Sequence, residues 1–258
     1  FAVIAVTLIN IFLFQNYRIP TGSMEKSLMI GDHLFVSKIA YGPRMPNTPV
    51  AFPFTQHTMP VVGGKSWSDI VHWPYKRLAG ISKVKNNDAI VFNFPAGDTV
   101  VLEEQATSYY EIIRRTAREL QQRDSYGSLS PKPVESYMED ARNEVRSRFN
   151  IVYRPVDRRD NYVKRCIGIP GDTLFIRKGQ VFVNGKAVVE NETQQTSYVV
   201  TTNGTTINPK AFERLGINKA DQTMVSGWVY ILPLTKSNAE AISKFTNVTD
   251  VSALYAEE

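Results

Sequence analysis

The sequence predicts a mainly β fold with an apolar N-terminal helix and an α-helical insertion. Three observations predict it. Short segments such as "NNDAIVFNFP" and "GDTLFIRKGQVFVNGKAV" are apolar or alternating and are bounded by turn residues, as strands are. "EEQATSYYEIIRRTARELQQRD" lacks Gly and Pro and repeats its apolar side chains at helical spacing. The opening run "FAVIAVTLINIFLF" is apolar except for Thr7 and Asn10. The 258 residues are 43% hydrophobic and 21% charged, which suits one large or two modest domains with a real core.

The opening run has three readings. At about 1.5 Å per residue, fourteen residues span about 21 Å, short of the roughly 30 Å hydrocarbon core of a bilayer. It fits a buried soluble helix, a signal-peptide core, or the outer part of a transmembrane helix that has been cut. The basic start and small-residue cleavage site of a signal peptide are missing. Tyr17 and Arg18, which follow, suit a membrane interface. Residues 1–16 are therefore expected to be a truncated transmembrane anchor, and the chain to be a fragment cut at both ends.

A strand is expected over "HLFVSKIAYG", after the Gly31–Asp32 turn. Residues 43–74, rich in Pro, Gly, Thr and Ser, read as a long irregular excursion. "NDAIVFNFP" is a compact strand closed by Pro95. The helix that follows carries Tyr109, Ile112, Ile113, Thr116 and Leu120 as one stripe. A second helix is expected over "VESYMEDARNEVRSRF", with "SYGSLSPKP" as the spacer of a helical hairpin. Beyond Tyr162 the chain returns to β structure. Asn184-Gly185 marks one hairpin, and Asn203-Gly204 a possible second. "PKAFERLGI" and "KSNAEAISKF" read as short helices, and "GWVYILPLT" as a strand. The expected organisation is a β domain over residues 17–102 and 161–235, a helical insertion over 103–160, and a further segment over 236–258.

Several function classes are disfavoured. The net charge of +5 comes without a Lys/Arg block or a nucleic-acid motif, so no nucleic-acid partner is expected. The single cysteine, Cys166, rules out an internal disulfide and argues against a Cys-based zinc site. His33, His57 and His72 share no ligand spacing, so no metal or cofactor is expected.

The chemistry rests on two stretches, "PTGSM" and "YVKRCIGIPGD". A serine hydroxyl is a poor nucleophile until a base takes its proton. A lysine serves as that base when burial among apolar groups lowers its pKa from about 10.4. On a strand, Lys164 shares a face with Tyr162 and Cys166, and Arg165 takes the other. Gly22 permits a tight turn and a close substrate approach at Ser23. The Ser23 amide and the Thr21 hydroxyl can hold a tetrahedral oxyanion. Taken singly, a Gly-Ser loop and a Lys-Arg pair are most often structural. Their joint occurrence, in order and after an apolar segment, points to catalysis.

Together these residues resemble the type I signal peptidase family of membrane-anchored serine/lysine peptidases. "IPTGSMEKSLMIGDHLFVSKIAYG" is similar to the family's nucleophile box and the Gly-Asp and Lys-x-x-Tyr-Gly that follow it. "NDAIVFNFP" resembles the next box, with Asn87 in place of its glycine. "YVKRCIGIPGD" resembles the general-base box, and "GQVFVNGKAV" the hairpin after it. The resemblance implies a signal-peptidase-type coiled β-sheet catalytic domain against the outer, periplasmic face of the bacterial cytoplasmic membrane. It implies Ser23 as nucleophile, Lys164 as general base, and Thr21 with the Ser23 amide as oxyanion donors. Pro20, Gly22, Met24 and Tyr162 would contact the substrate, the signal peptide of an exported preprotein. No cofactor is implied. The long helical insertion resembles that of large-insert members. The family's last box, Gly-Asp-Asn-x-x-x-Ser-x-Asp-Ser-Arg, has no match between Asp172 and Glu258. That keeps an inactive envelope homologue that binds peptides or a partner as an alternative. A self-cleaving regulator of the repressor type also uses Ser/Lys chemistry, but the apolar N-terminus argues against it.

Overall fold

The computed structural model describes residues 1–125, 132–189 and 191–255. The chain forms two compact units, residues 1–17 with 33–165, and residues 18–32 with 166–258.

The first unit opens with α1 (Ala2–Phe12), followed by β1 (Phe14–Arg18) and β2 (His33–Ser37), which pair. The helix has 11 residues and ends before Gln15, so the apolar run is helical only in part. Among the described residues no helix is long and apolar enough to cross a membrane. Phe14 and Phe35 meet edge to face across β1 and β2, with ring centres 6.4 Å apart. The strand expected to run on to Gly42 stops at Ser37. Gly42 then lies against the backbone of Leu78 and Gly80, so closely that a Cβ there would meet the Leu78 carbonyl. The excursion is irregular, as expected, and isolated bridges such as Ala51–Trp67 stitch it together.

β3 (Ala89–Asn93) and β4 (Thr99–Val101) lead into the insertion, where α2 (Tyr109–Ser125) packs on α3 (Met138–Arg148). The expected stripe is the buried one. Tyr109, Ile112, Ile113 and Thr116 are buried with Ala117, and Leu120 packs against them. Tyr137, Ala141 and Val145 close the other side. Each fully buried Ile or Val contributes about 1.5–3 kcal/mol. Acidic residues open both helices and arginines close them, in accord with the helix dipole. Most of the spacer between the helices lies outside the described residues. β5 (Ile151–Tyr153) pairs with β4, and β6 (Asn161–Arg165) pairs antiparallel with β3.

In the second unit, β7 (Leu174–Arg177), β8 (Gln180–Val183) and β9 (Lys186–Ala187) form a meander. Asn184 (φ 52°) and Gly185 (φ 76°) make the expected hairpin turn. Lys178 (φ 48°) and Gly179 (φ 75°) make a second one that the Asn-Gly signal does not reveal. Then come β10 (Thr196–Thr202), α4 (Pro209–Arg214), β11 (Thr223–Ser226), β12 (Val229–Leu234), α5 (Lys236–Ser243) and β13 (Val248–Ala253). The sheet order is β11-β12-β10-β13. Its inward residues Val200, Tyr230, Leu232 and Leu234 bury with Phe212 and Ile242 from the helices.

The hairpin proposed at Asn203-Gly204 does not form. β10 takes β12 on one side and β13 on the other, so no edge remains for residues beyond Gly204. Asn203 instead closes a local turn, its Oδ1 accepting from the Thr205 amide (3.2 Å) and hydroxyl (2.7 Å). The chain then enters α4, capped by Asn208 and begun by Pro209.

Candidate active site

Ser23 sits in a single 3-10 turn, Gly22–Met24, entered from an extended Thr21. The loop around it is closed at its base. The Ile19 amide donates to the Asp32 carbonyl (2.9 Å), and the Gly31 amide to the Ile19 carbonyl (2.8 Å). Ile19 is buried beneath this clasp. Asp32 also accepts the Met29 amide (2.8 Å), and Gly31 adopts φ +96°, a conformation suited to glycine. This is the local work of the Gly-Asp pair that follows the serine box. Lys26 Nζ donates to the Gly216 carbonyl (2.9 Å), and Asn218 donates to Glu25, which docks the loop on its own unit. A Cβ on Gly22 would come within 2.7 Å of Glu25 Oε2, so Gly22 makes room for that carboxylate. Pro20, Thr21 and Ser23 are exposed, and Gly22 and Met24 half-buried.

Lys164 lies on β6, opposite Ile90 of β3, and Tyr162 lies opposite Phe92. Lys164 and Tyr162 therefore share a face, as their alternation predicts. The Tyr162 ring lies 5.3 Å from Phe94 and 6.5 Å from Phe92. Arg165 turns away and donates to the Asn87 carbonyl (3.3 Å). Asn87 adopts φ +76°, a region that glycine and asparagine tolerate best. That explains why asparagine can replace glycine at this point. Asp88, the next residue, accepts from the Lys85 amide and the Tyr41 hydroxyl, both at 2.8 Å. The Lys85 amide is the largest of the influences that hold its carboxyl below the usual range.

The segment after Lys164 turns at Gly171 (φ +97°), with Asp172 accepting the Ile169 amide (2.9 Å). Asn184 Nδ2 donates to Asp172 (2.8 Å) and ties this turn to the β8–β9 hairpin. Cys166 is buried, and its thiol faces the Gly168 carbonyl at 3.4 Å.

Sequence reasoning missed the polar clasp that precedes β6. Thr48, fully buried, donates its amide (2.9 Å) and hydroxyl (3.0 Å) to Asp157. Arg158 donates to the Thr48 hydroxyl and carbonyl, both at 2.7 Å. Arg154, 2% exposed, reaches Asp160 at 3.5 Å, and His57 reaches the same carboxylate at 3.3 Å. These bonds fasten the excursion to the residues that lead into β6. Their partners are far apart in sequence and share no spacing that would reveal them. Among the described residues no group of His, Cys, Asp and Glu side chains could hold a metal ion.

A family model described as signal peptidase, peptidase S26, matches residues 1–238, a span that includes both boxes. The chain belongs to this family. It is 51% identical over 47 residues to signal peptidase I of Haemophilus influenzae, covering 18% of this chain and 14% of that protein. It is 30% identical over 186 residues to signal peptidase I of Pseudomonas aeruginosa, covering 72% of this chain and 35% of that protein. The chain thus matches well under half of the length of either relative. No solved structure matches it. In this chain, Pro20, Thr21, Gly22, Ser23 and Met24 stand together in one unit. Tyr162 and Lys164 stand together in the other.

Proposed function

We propose that this chain is the catalytic part of a membrane-associated serine endopeptidase that removes signal peptides from exported preproteins. The observation that carries the reading is the family match, which runs unbroken over Ser23 on its tight turn and Lys164 on its strand.

In this mechanism Ser23 Oγ attacks the carbonyl carbon of the residue before the cut, and its proton passes to the amine of Lys164, acting as general base. The Ser23 amide and the Thr21 hydroxyl stabilise the resulting oxyanion. Collapse breaks the C–N bond, and the departing amine, the new N-terminus of the mature protein, takes the proton. The signal peptide remains esterified to Ser23. Lys164 then draws a proton from water, hydroxide attacks the ester, and the serine is regenerated. Pro20, Gly22, Met24 and Tyr162 flank the substrate strand. The catalytic face lies at the outer surface of the cytoplasmic membrane, with the apolar segment through Phe14 directed to the bilayer. That location raises the effective concentration of signal peptides, which are themselves membrane-bound.

The test uses the full-length protein in detergent and a preprotein with Ala before the cut. Processing is expected in the parent and lost in Ser23→Ala and in Lys164→Met. Activity that survives either change refutes the dyad.

A further inference from the structure

Three cations gather in the first unit, away from the residues assigned to catalysis. Arg44 and Arg77 face each other across an antiparallel bridge. The backbone bonds flank them, from the Met45 amide to the Lys76 carbonyl and from the Leu78 amide to the Pro43 carbonyl, both 2.9 Å. In such a non-hydrogen-bonded pair the side chains rise together from one face, about 4.5–5.5 Å apart at Cβ. Like charges placed this way repel. Lys38 is the third cation, with its amine 6.0 Å from the centre of the Tyr17 ring. Burial, reinforced by Arg44 and Arg77, pushes its pKa down to about 8.

The partners of these cations are neutral. Arg44 donates to Asn93 Oδ1 (2.7 Å). Arg77 donates to the Gly42 carbonyl (2.8 Å) and the Tyr75 hydroxyl (3.2 Å). Among the described residues none of the three forms an ion pair with a carboxylate. Asp157 attracts Arg44 from a distance, but its Oδ2 already accepts two bonds from Thr48. Lys38 and Arg44 are half-buried and Arg77 is exposed, and cations held together with no carboxylate bonded to any of them favour an anion that joins them.

The surroundings say where that anion comes from. Tyr17 is on β1, directly after the apolar helix, and the Lys38 amide donates to the Leu13 carbonyl at the end of that helix (2.7 Å). Tyr17, beside Lys38, is half-buried, whereas Tyr75, which accepts from Arg77, is exposed. The same unit carries further exposed aromatics, Phe14 on β1, Phe35 on β2 (77% exposed) and Trp73. Exposed aromatics beside basic side chains are the composition of a membrane–water interface.

We propose that Lys38, Arg44 and Arg77 form a binding site for a phosphate ester, and that its natural occupant is the headgroup phosphate of an anionic phospholipid. The two guanidinium groups supply planar donors suited to phosphate oxygens, and Lys38 a point charge. The site is independent of the peptidase reading, because none of its residues takes part in the proposed dyad.

The test follows acylation of Lys38 by acetic anhydride in the full chain, read by mass spectrometry. Phosphatidylcholine vesicles containing phosphatidylglycerol should protect Lys38, whereas phosphatidylcholine alone should not. Inorganic phosphate should protect it only at much higher concentration. In vesicle co-sedimentation, Lys38→Gln and Arg77→Gln should each weaken the phosphatidylglycerol-dependent affinity about fivefold, whereas Lys210→Gln, in the other unit, should not. Protection by inorganic phosphate but not by vesicles overturns the lipid assignment. Absence of protection by either, or an equal loss in Lys210→Gln, overturns the site.

Discussion

The helical hairpin and the motif-bearing strands differ most in what they bury. Ile112, Ile113, Ala117, Ala141 and Val145 of the hairpin are almost wholly enclosed. In β2, β3, β6, β7, β8 and β9, which carry most of the family boxes, no residue is buried. The C-terminal sheet resembles the hairpin, with Val200, Leu232 and Leu234 inaccessible to solvent. Folding energy is therefore concentrated in two cores that carry none of the proposed chemistry. The segments expected to meet the substrate are thin ladders held by turns, clasps and side-chain hydrogen bonds. Such regions lie at the low-stability end of a protein, where binding surfaces are commonly found.

The sharpest way to break this division is to separate activity from stability. Ser23→Ala and Lys164→Met should each lower processing by about a thousandfold or more and leave the unfolding midpoint unchanged. A large loss of stability in either variant would mean that the motif residues also hold the fold. The reverse result is expected in the cores. Ile113→Ala or Leu232→Ala should cost about 2–5 kcal/mol in urea unfolding, because each leaves a cavity among packed neighbours. Ile176→Ala on β7 should cost about 0.5 kcal/mol, since Ile176 is 62% exposed. Equal costs at the three positions would remove the contrast.

A smaller effect is expected at the caps. Thr235 accepts the Asn238 amide at the start of α5 (3.2 Å), so Thr235→Ala should cost about 1 kcal/mol. The finest test concerns the clasp before β6. The hydrogen bond from His57 is the main influence holding the Asp160 carboxyl below the usual range, and nearby Arg154 adds to it against the opposing effect of burial. A carboxyl with a depressed folded-state pKa contributes stability above its unfolded value of about 3.9 and loses it as pH falls through the folded value. Unfolding midpoints should therefore fall on acidification below about pH 4, and Asp160→Asn should flatten that decline. An unchanged acid limb would show that the clasp contributes nothing.

Local order was legible wherever neighbouring residues suffice to define it. The stripe from Tyr109 to Leu120 marks a helix because residues at that spacing share one face. Asn184-Gly185 marks a hairpin because both positions adopt positive φ. The two boxes, read jointly, named Ser23 and Lys164. β1 and β13 went unseen, since each pairs with a strand well removed in the sequence, and β11, which pairs with its neighbour β12, is short and irregular in register. At Asn203-Gly204 the same dipeptide that makes a hairpin elsewhere makes a local turn, because both edges of β10 are already taken.

The sequence by itself determined the insertion helices, the Asn184-Gly185 turn and the candidates for chemistry, Ser23 and Lys164, since these follow from periodicity, backbone preference and residue type. The tertiary structure alone decided which strands pair, which residues fill the two cores, and that Arg44 and Arg77 face each other across one bridge. Those outcomes depend on contacts between segments far apart in the chain, and no local pattern encodes them.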